Sequence, residues 1–351
     1  MNSVGSKARS SKKAKKGPGP GCSLFGYALI GFGVGAAGVW SLIAGEIDYA
    51  ETMSALEETE RAVVVVDDVS AVVPALHDKA IHACAVADTD HVLVDDEFGV
   101  REVALIVERK VEYYQYKESE STDSDGDTTY SYSTLWVPSP IDSDKFHRTG
   151  FKNSVLVKIA SLTQYAENPK FGGYTLPQSL VSAIGGAVPA MANPSGEQLA
   201  KIHSTVEGTK PKPTHALSPE ANTSDSKSGS TGHSLVHVFP SSFYFGKSPN
   251  EPSVGDVRVT LSKVPRGDVC VIAKVTGSTF APYKASNGTS VSMVTRGTVS
   301  AGAMFDRERA AANESVGDNR LASSIVAVFG AVFCGGSLAI WRKSGRKKPA
   351  T

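Results

Sequence analysis

Acidic residues are missing from both ends of this chain. The first 21 residues contain Lys7, Arg9, Lys12, Lys13, Lys15 and Lys16, the last ten contain Arg342, Lys343, Arg346, Lys347 and Lys348, and neither stretch has an Asp or Glu. Charge of either sign is missing from residues 22–45 and again from residues 321–341. A balance of 36 basic against 36 acidic residues hides this sorting. All the acids fall in residues 46–320 together with only 25 bases, so the middle of the chain carries a net charge of −11. Cysteine is scarce as well, at four in 351 residues, which excludes a disulfide-dense secreted scaffold. No phosphate loop, nucleophile elbow or kinase-type signature occurs, so no catalytic residue and no cofactor is expected. The acidic middle also lacks basic residues interleaved with aromatics, which argues against nucleic acid as a partner.

What is present begins with the two uncharged runs. At ~1.5 Å per residue, 24 helical residues span ~36 Å, enough for a hydrocarbon core of ~30 Å. The first run contains GFGVGAAG, in which Gly33, Gly35 and Gly38 have the spacing of a dinucleotide-binding turn. Such a turn needs a preceding strand and an acidic residue about 20 positions on. This one lies inside an uncharged apolar helix, so the spacing points to membrane helix packing. The expected organisation is a basic cytosolic tail (1–21), a transmembrane helix (22–45), a central domain, a second transmembrane helix (321–341) and a basic cytosolic tail (342–351). Lys and Arg collect on cytosolic flanks, which puts both termini in the cytosol or nucleoplasm and the acidic middle in the lumen. The first run is too long for the core of a cleaved signal peptide and reads as an uncleaved signal anchor.

Small residues recur in both spans. Gly31 and Gly35 form a GxxxG pair, and Ser323, Ala327, Ala331, Gly335 and Ala339 follow one another every four residues. Small residues let helix backbones approach closely in lipid. Gly31, Gly35, Ala327, Ala331 and Gly335 are the candidate helix-packing residues, within the chain or between copies, and a homo-oligomer is expected.

The central region reads as α+β, a β-rich lumenal domain between the two membrane helices. An acidic helix-compatible stretch, EIDYAETMSALEETERAV, leads into strand signals. ALIVERKVEYYQYKE and TTYSYSTLWV flank SESTDSDGD, the pattern of a long β-hairpin, and SVGDVRVTLSKV, DVCVIAKVTG and TSVSMVTRGTV are further strand candidates. Residues 204–233 have almost no large apolar side chains and read as a flexible linker or insertion. They divide the domain into a first part (46–203) and a β-rich second part (234–320). One sheet with an insertion and two separate folds both remain open.

The remaining motifs are weak. Asp123, Asp125 and Asp127 start like a calcium loop, but Thr128 and Thr134 stand where its glycine and closing glutamate belong. His233 and His237, and His77 and His82, lack companions at metal spacing, so no metal is expected. Cys22, at the cytosolic edge of the first span, is a candidate for palmitoylation. Cys84 and Cys270 are the two cysteines of the central region, and a lumenal setting permits a disulfide between them. Asn222, Asn287 and Asn313 head glycosylation sequons. Tyr113, Tyr114, Tyr116, Tyr130 and Tyr132 offer a partner face if they are exposed.

EFGVREVALIVERKVEYYQYKE, YSYSTLWVPSPIDSDKFHRTGFKNS, FYFGKSPNEPSVGDVRVTLSKV and GTVSAGAMFDRERA, in that order behind an N-terminal apolar run, resemble the transmembrane protein 43 (LUMA) family. The resemblance implies a protein of the endoplasmic reticulum and inner nuclear membrane with a lumenal domain. It implies self-association and the organisation of nuclear-envelope partners such as emerin and lamins, with no catalytic residues. Family members continue into several membrane spans where this chain has one, which puts the contacts of those extra helices in doubt. The reading is a non-enzymatic membrane scaffold. The alternatives are an enzyme or lipid-metabolism factor of the endoplasmic reticulum, with a lumenal site around His77, His82 and Asp95-Asp96-Glu97, or a cell-surface receptor.

Overall fold

The computed structural model describes residues 20–122, 127–207 and 235–345. The elements begin with α1 (Pro20–Ala62), β1 (Val64–Val66), β2 (Ala80–Asp88), β3 (Val92–Asp95), β4 (Val100–Val103), β5 (Ile106–Thr122) and β6 (Thr128–Val137). They continue with β7 (Leu162–Tyr165), β8 (Lys170–Phe171), β9 (Tyr174–Thr175), α2 (Gln178–Val181), β10 (Val188–Pro189) and α3 (Gly196–Glu207). After residue 235 come β11 (Val236–Phe239), β12 (Ser242–Phe245), β13 (Val257–Val264), β14 (Gly267–Thr276) and β15 (Thr279–Ala281). Last are β16 (Tyr283–Lys284), β17 (Ser290–Val291), β18 (Met293–Arg296) and α4 (Ala301–Gly345). The chain thus has an N-terminal helix, a central β-rich region and a C-terminal helix, and both long helices are apolar enough to cross a membrane.

Two compact units divide the chain, one made of the long helices with residues 284–290, the other of residues 62–283 and 291–301. In the first, α1 and α4 run antiparallel. A Cβ added to Gly31 would lie 2.7 Å from the Cys334 backbone nitrogen, and one on Gly38 would lie 2.6 Å from that of Ala327. Between these contacts Gly330 abuts the backbone of Gly35. Without Cβ atoms at these positions the two backbones touch, and contact of this kind drives association in lipid, where water provides no force. Polar pairs take over beyond the apolar stretch. Ser323 Oγ is 2.9 Å from Ser41 Oγ, and Asn319 and Ser41 also bond. Arg320 Nη2 donates to Glu46 Oε2 at 2.8 Å, Tyr49 Oη donates to Asn313 Oδ1 at 2.7 Å, and Arg309 pairs with Glu60. The segment 284–290 is tied to the same unit, because the backbone N–H of Ser286 donates to Glu58 and Asn287 Nδ2 donates to the Glu51 carbonyl at 2.8 Å.

The second unit holds two seven-stranded sheets. One has the order β15-β14-β2-β8-β9, with β1 pairing β2 and β18 pairing β14. The middle of its strand β14 is apolar, and Val269 to Ala273 are buried without interruption. Ile81, Phe171, Tyr174, Leu180, Val181 and Phe280 complete this core. The turn between β8 and β9 requires glycine, since Gly172 has φ +59° and any Cβ there would strike the Val69 carbonyl. The other sheet has the order β11-β12-β13-β5-β6, with β7 pairing β5 and β10 pairing β13. Here the pattern alternates with period two. Val107, Val111, Tyr113, Val257, Val259, Leu261, Phe243 and Phe245 point into a second core, and Glu108, Lys110, Glu112 and Tyr114 point away.

Some expectations change. Residues 301–320, assigned above to the β-rich second part, are helical and form the first twenty residues of α4. Residues 204–207, assigned to the linker, complete α3; the rest of that segment lies outside the described residues. The candidate strand TSVSMVTRGTV contains only the short strands β17 and β18. Strands from both sides of the 204–233 segment pair with one another: β13 with β5 over eight residues, and β14 with β2 over eight.

Candidate interaction surfaces

The outward face of the second sheet carries a row of aromatic and charged side chains, because cross-strand register brings them into line. Tyr114 lies opposite Trp136, Tyr116 opposite Thr134, Glu118 opposite Tyr132 and Glu120 opposite Tyr130. Arg258 lies opposite Glu112 on one side and Tyr244 on the other, and Tyr244 lies opposite His237. The Arg258 guanidinium sits 4.4 Å above the Trp136 ring and donates to Glu112 Oε2 at 2.7 Å. Burial pushes the Glu112 carboxyl up, but hydrogen bonds from Arg258 and Lys110 outweigh it and hold it below the ordinary carboxylate range. Tyr244 donates to Asp256 Oδ2 at 2.6 Å, and burial together with that carboxylate raises the phenol well above its usual value.

Toward the hairpin tip the segment after β6 folds back across this row. The Tyr132 ring stacks on Phe151 at 3.8 Å and the Tyr130 ring stacks on His147 at 4.1 Å. Tyr132 Oη bonds to Glu118 and accepts from the Arg148 backbone at 2.9 Å. Tyr114, Tyr116, Tyr130 and Tyr132 are therefore half-buried rather than fully exposed. Tyr113 does not belong to this face. It is buried in the core and donates to the Ile159 carbonyl at 2.5 Å, since adjacent residues of a strand point to opposite sides. Of the calcium-like cluster only Asp127 lies within the described residues.

Sequence-singled residues elsewhere are scattered. His77 accepts from the Gly277 N–H through Nδ1 at 3.1 Å, whereas His82 lies against Val299 O at 2.9 Å. Asp95 and Glu97 are taken up by Arg109, at 3.2 and 2.6 Å. Asp96 contributes only its backbone carbonyl, to Gln198. These groups do not converge on one site. His237 Nε2 lies 3.1 Å from the Gly246 carbonyl, and His233 lies outside the described residues. Cys84 and Cys270 are bonded, S–S 2.01 Å, at directly opposed positions of β2 and β14. With His82 they form the one three-residue grouping at metal-ligand spacing among the described residues, and the S–S bond leaves that grouping no thiolate.

On the helix pair, Gly31, Gly35, Ala327 and Ala331 lie at the α1–α4 contact, whereas a Cβ on Gly335 would meet nothing within 4 Å. Gly335 instead borders an apolar cleft of about 630 Å³ with Phe32, Val39, Trp40, Ile43 and Leu338. Of the sequons, Asn287 is exposed in a turn, Asn313 is in mid-helix, and Asn222 lies outside the described residues. The side chain of Cys22 also lies outside them. Sequence reasoning missed the pairing of Glu46 with Arg320 and of Glu60 with Arg309. The signal was available as acids following the first apolar run and bases preceding the second.

A profile of the Transmembrane protein 43 family matches residues 110–341. Transmembrane protein 43 of Rattus norvegicus is 27% identical over 277 residues, covering 74% of this chain and 61% of that protein. The Mus musculus protein matches to the same extent, and the Homo sapiens protein is 25% identical over 276 residues, covering 74% and 60%. The chain thus spans about three fifths of the length of the curated relatives it matches. No solved structure matches it. With two thirds of its length inside the family profile and an apolar helix on each side of its β-rich region, this chain is a membrane protein and belongs to the Transmembrane protein 43 family.

Proposed function

We propose that this protein is a non-enzymatic scaffold of the endoplasmic reticulum and inner nuclear membrane, which self-associates and organises nuclear-envelope protein complexes. The aromatic row on the outward face of the second sheet carries the reading. Tyr, Trp and Arg are the residue types that dominate binding energy at protein interfaces, and here Tyr114, Trp136, Arg258 and Tyr130 are aligned by strand register on a rigid sheet. The antiparallel helix pair supports a topology with both membrane-proximal tails on the cytosolic or nucleoplasmic side and the acidic central region in the lumen. In that arrangement the sheet face meets lumenal parts of emerin-like membrane proteins, and the basic tails face lamin-like ones. Copies associate in the membrane through the open flank of the helix pair, where Phe32, Trp40, Gly335 and Leu338 border the apolar cleft.

The test is chemical crosslinking of the full chain in isolated nuclear and reticulum membranes. Trp136→Ala combined with Tyr130→Ala is expected to cut crosslinking to partner proteins by about tenfold, the scale of one interface hot spot. Gly335→Trp, which fills the cleft, is expected to reduce crosslinks between copies. Undiminished crosslinking of both kinds, at equal protein levels, would count against the scaffold role.

A further inference from the structure

The disulfide is asymmetric in its surroundings. Cys270 is fully buried, whereas Cys84 is half-buried and lines a cavity of about 390 Å³. Val65, Asp67, His82, Thr298 and Val299 form most of the remaining wall. The two sulfurs also differ in their partners. Cys270 Sγ accepts the Val299 backbone N–H at 3.1 Å and lies 3.3 Å from the Gly297 carbonyl. Cys84 Sγ lies 3.7 Å from His82 Nε2. His82 is buried, its Nε2 is 2.9 Å from the Val299 carbonyl, and its Nδ1 has no partner. The histidine thus links β2 to Val299 on the wall of the cavity next to Cys84.

We propose that Cys84 is a site of reversible S-thiolation by a small monothiol that enters this cavity. Exchange requires a thiolate to approach one sulfur along the S–S axis while the other sulfur leaves. Only Cys84 borders the cavity, so the incoming sulfur bonds to Cys84 Sγ, the S–S bond breaks, and the electron pair leaves on Cys270 Sγ. The Val299 N–H already donates to that sulfur and stabilises the departing thiolate. The proton lost by the incoming thiol is returned through solvent to Cys270, whose S–H then finds the Gly297 carbonyl as acceptor. The products are a mixed disulfide at Cys84 and a free thiol at Cys270, with no net oxidation. The eight-residue register between β2 and β14 keeps the two cysteines opposed, so Cys270 can attack the mixed disulfide and restore the original bond. This chemistry is independent of the scaffold reading.

The probe is reduced glutathione at millimolar concentration, added to the full chain in detergent micelles, quenched with acid and mapped by mass spectrometry without reduction. The expected result is an adduct on Cys84 with Cys270 free, about tenfold or more in excess over the reverse adduct because only one sulfur is accessible. Circular dichroism should be unchanged, and removal of glutathione should restore the Cys84–Cys270 bond. In a second measurement Cys270→Ser leaves Cys84 as a free thiol. That variant should take up glutathione from its disulfide about tenfold faster than Cys84→Ser, whose remaining thiol is buried. Equal adducts on both cysteines, adducts on Cys270, or adducts that form only in denaturant would overturn the proposal, and the wild-type map decides the matter if either variant fails to fold.

Discussion

Arg109 lies with its guanidinium against the carboxylates of Asp95 and Glu97, 5.0 Å from the Phe98 ring centre, and both Arg109 and Asp95 are buried. Removing one member of a buried pair leaves the other charge in a medium that solvates it poorly. Arg109→Met is therefore expected to destabilise the fold by about 3–5 kcal/mol, measured as a shift in the denaturant midpoint. Burial raises the Asp95 carboxyl above its ordinary value, against the pull of Arg109. A folded-state pKa above the unfolded one means that the folded state holds the proton more tightly. The contribution is complete below the ordinary carboxylate range and is lost as pH rises through the raised value. Asp95→Asn should flatten this decline, in midpoints compared from about pH 4 to about pH 7; an unchanged slope would show that Asp95 does not titrate there. The cysteines admit a separate test. Their bond closes a loop across a separation of 186 residues, and Cys84→Ser with Cys270→Ser should cost about 2–4 kcal/mol of stability, while the β2–β14 ladder still pairs the strands.

At the scale of elements, the α1–α4 contact depends on glycines whose replacement has no room. The Ser41 and Ser323 hydroxyls, 2.9 Å apart, provide a reporter. Ser41→Cys with Ser323→Cys should form an oxidative crosslink within one chain, and adding Gly38→Leu should reduce its yield several-fold, since a Cβ at Gly38 overlaps the Ala327 backbone. A yield unaffected by Gly38→Leu would mean that the helices do not pack through this seam. Both apolar runs were legible in the sequence from the absence of charge, because a span in lipid tolerates so little of it. The start of α4 at Ala301 lies outside the apolar run, and although the Ala, Arg and Glu of AGAMFDRERAAANESVGDNR favour a helix, that segment lacks the apolar character that marks a span. The long β5–β6 pairing was legible from the alternation on either side of SESTDSDGD. So was the inward side of Tyr113, had the period of two been applied between it and Tyr114. The β2–β14 and β13–β5 pairings were not, since they join strands separated by more than a hundred residues and local pattern carries no record of the partner.

For the whole molecule, topology governs every other part of the functional reading. The antiparallel arrangement of α1 and α4 brings Pro20 and Gly345 to the same end of the helix pair. Basic residues cluster just outside both apolar runs, and the central region carries −11. In the proposed topology Lys and Arg stay on the cytosolic side and the central region lies in the lumen. Both asparagines are exposed, but Asn287 lies in a turn, where only the hydrogen bond from its Nδ2 to the Glu51 carbonyl must open, whereas Asn313 is in mid-helix with its Oδ1 engaged by Tyr49. The expressed full chain should shift in mobility after treatment with a glycosidase that removes only unprocessed glycans, and Asn287→Gln should reduce that shift more than Asn313→Gln. Resistance to that enzyme with sensitivity to a general glycosidase would indicate passage through the Golgi and favour a surface receptor over a resident scaffold. Insensitivity to both, together with protease digestion of the central region in sealed membranes, would invert the topology and place the aromatic face in the cytosol.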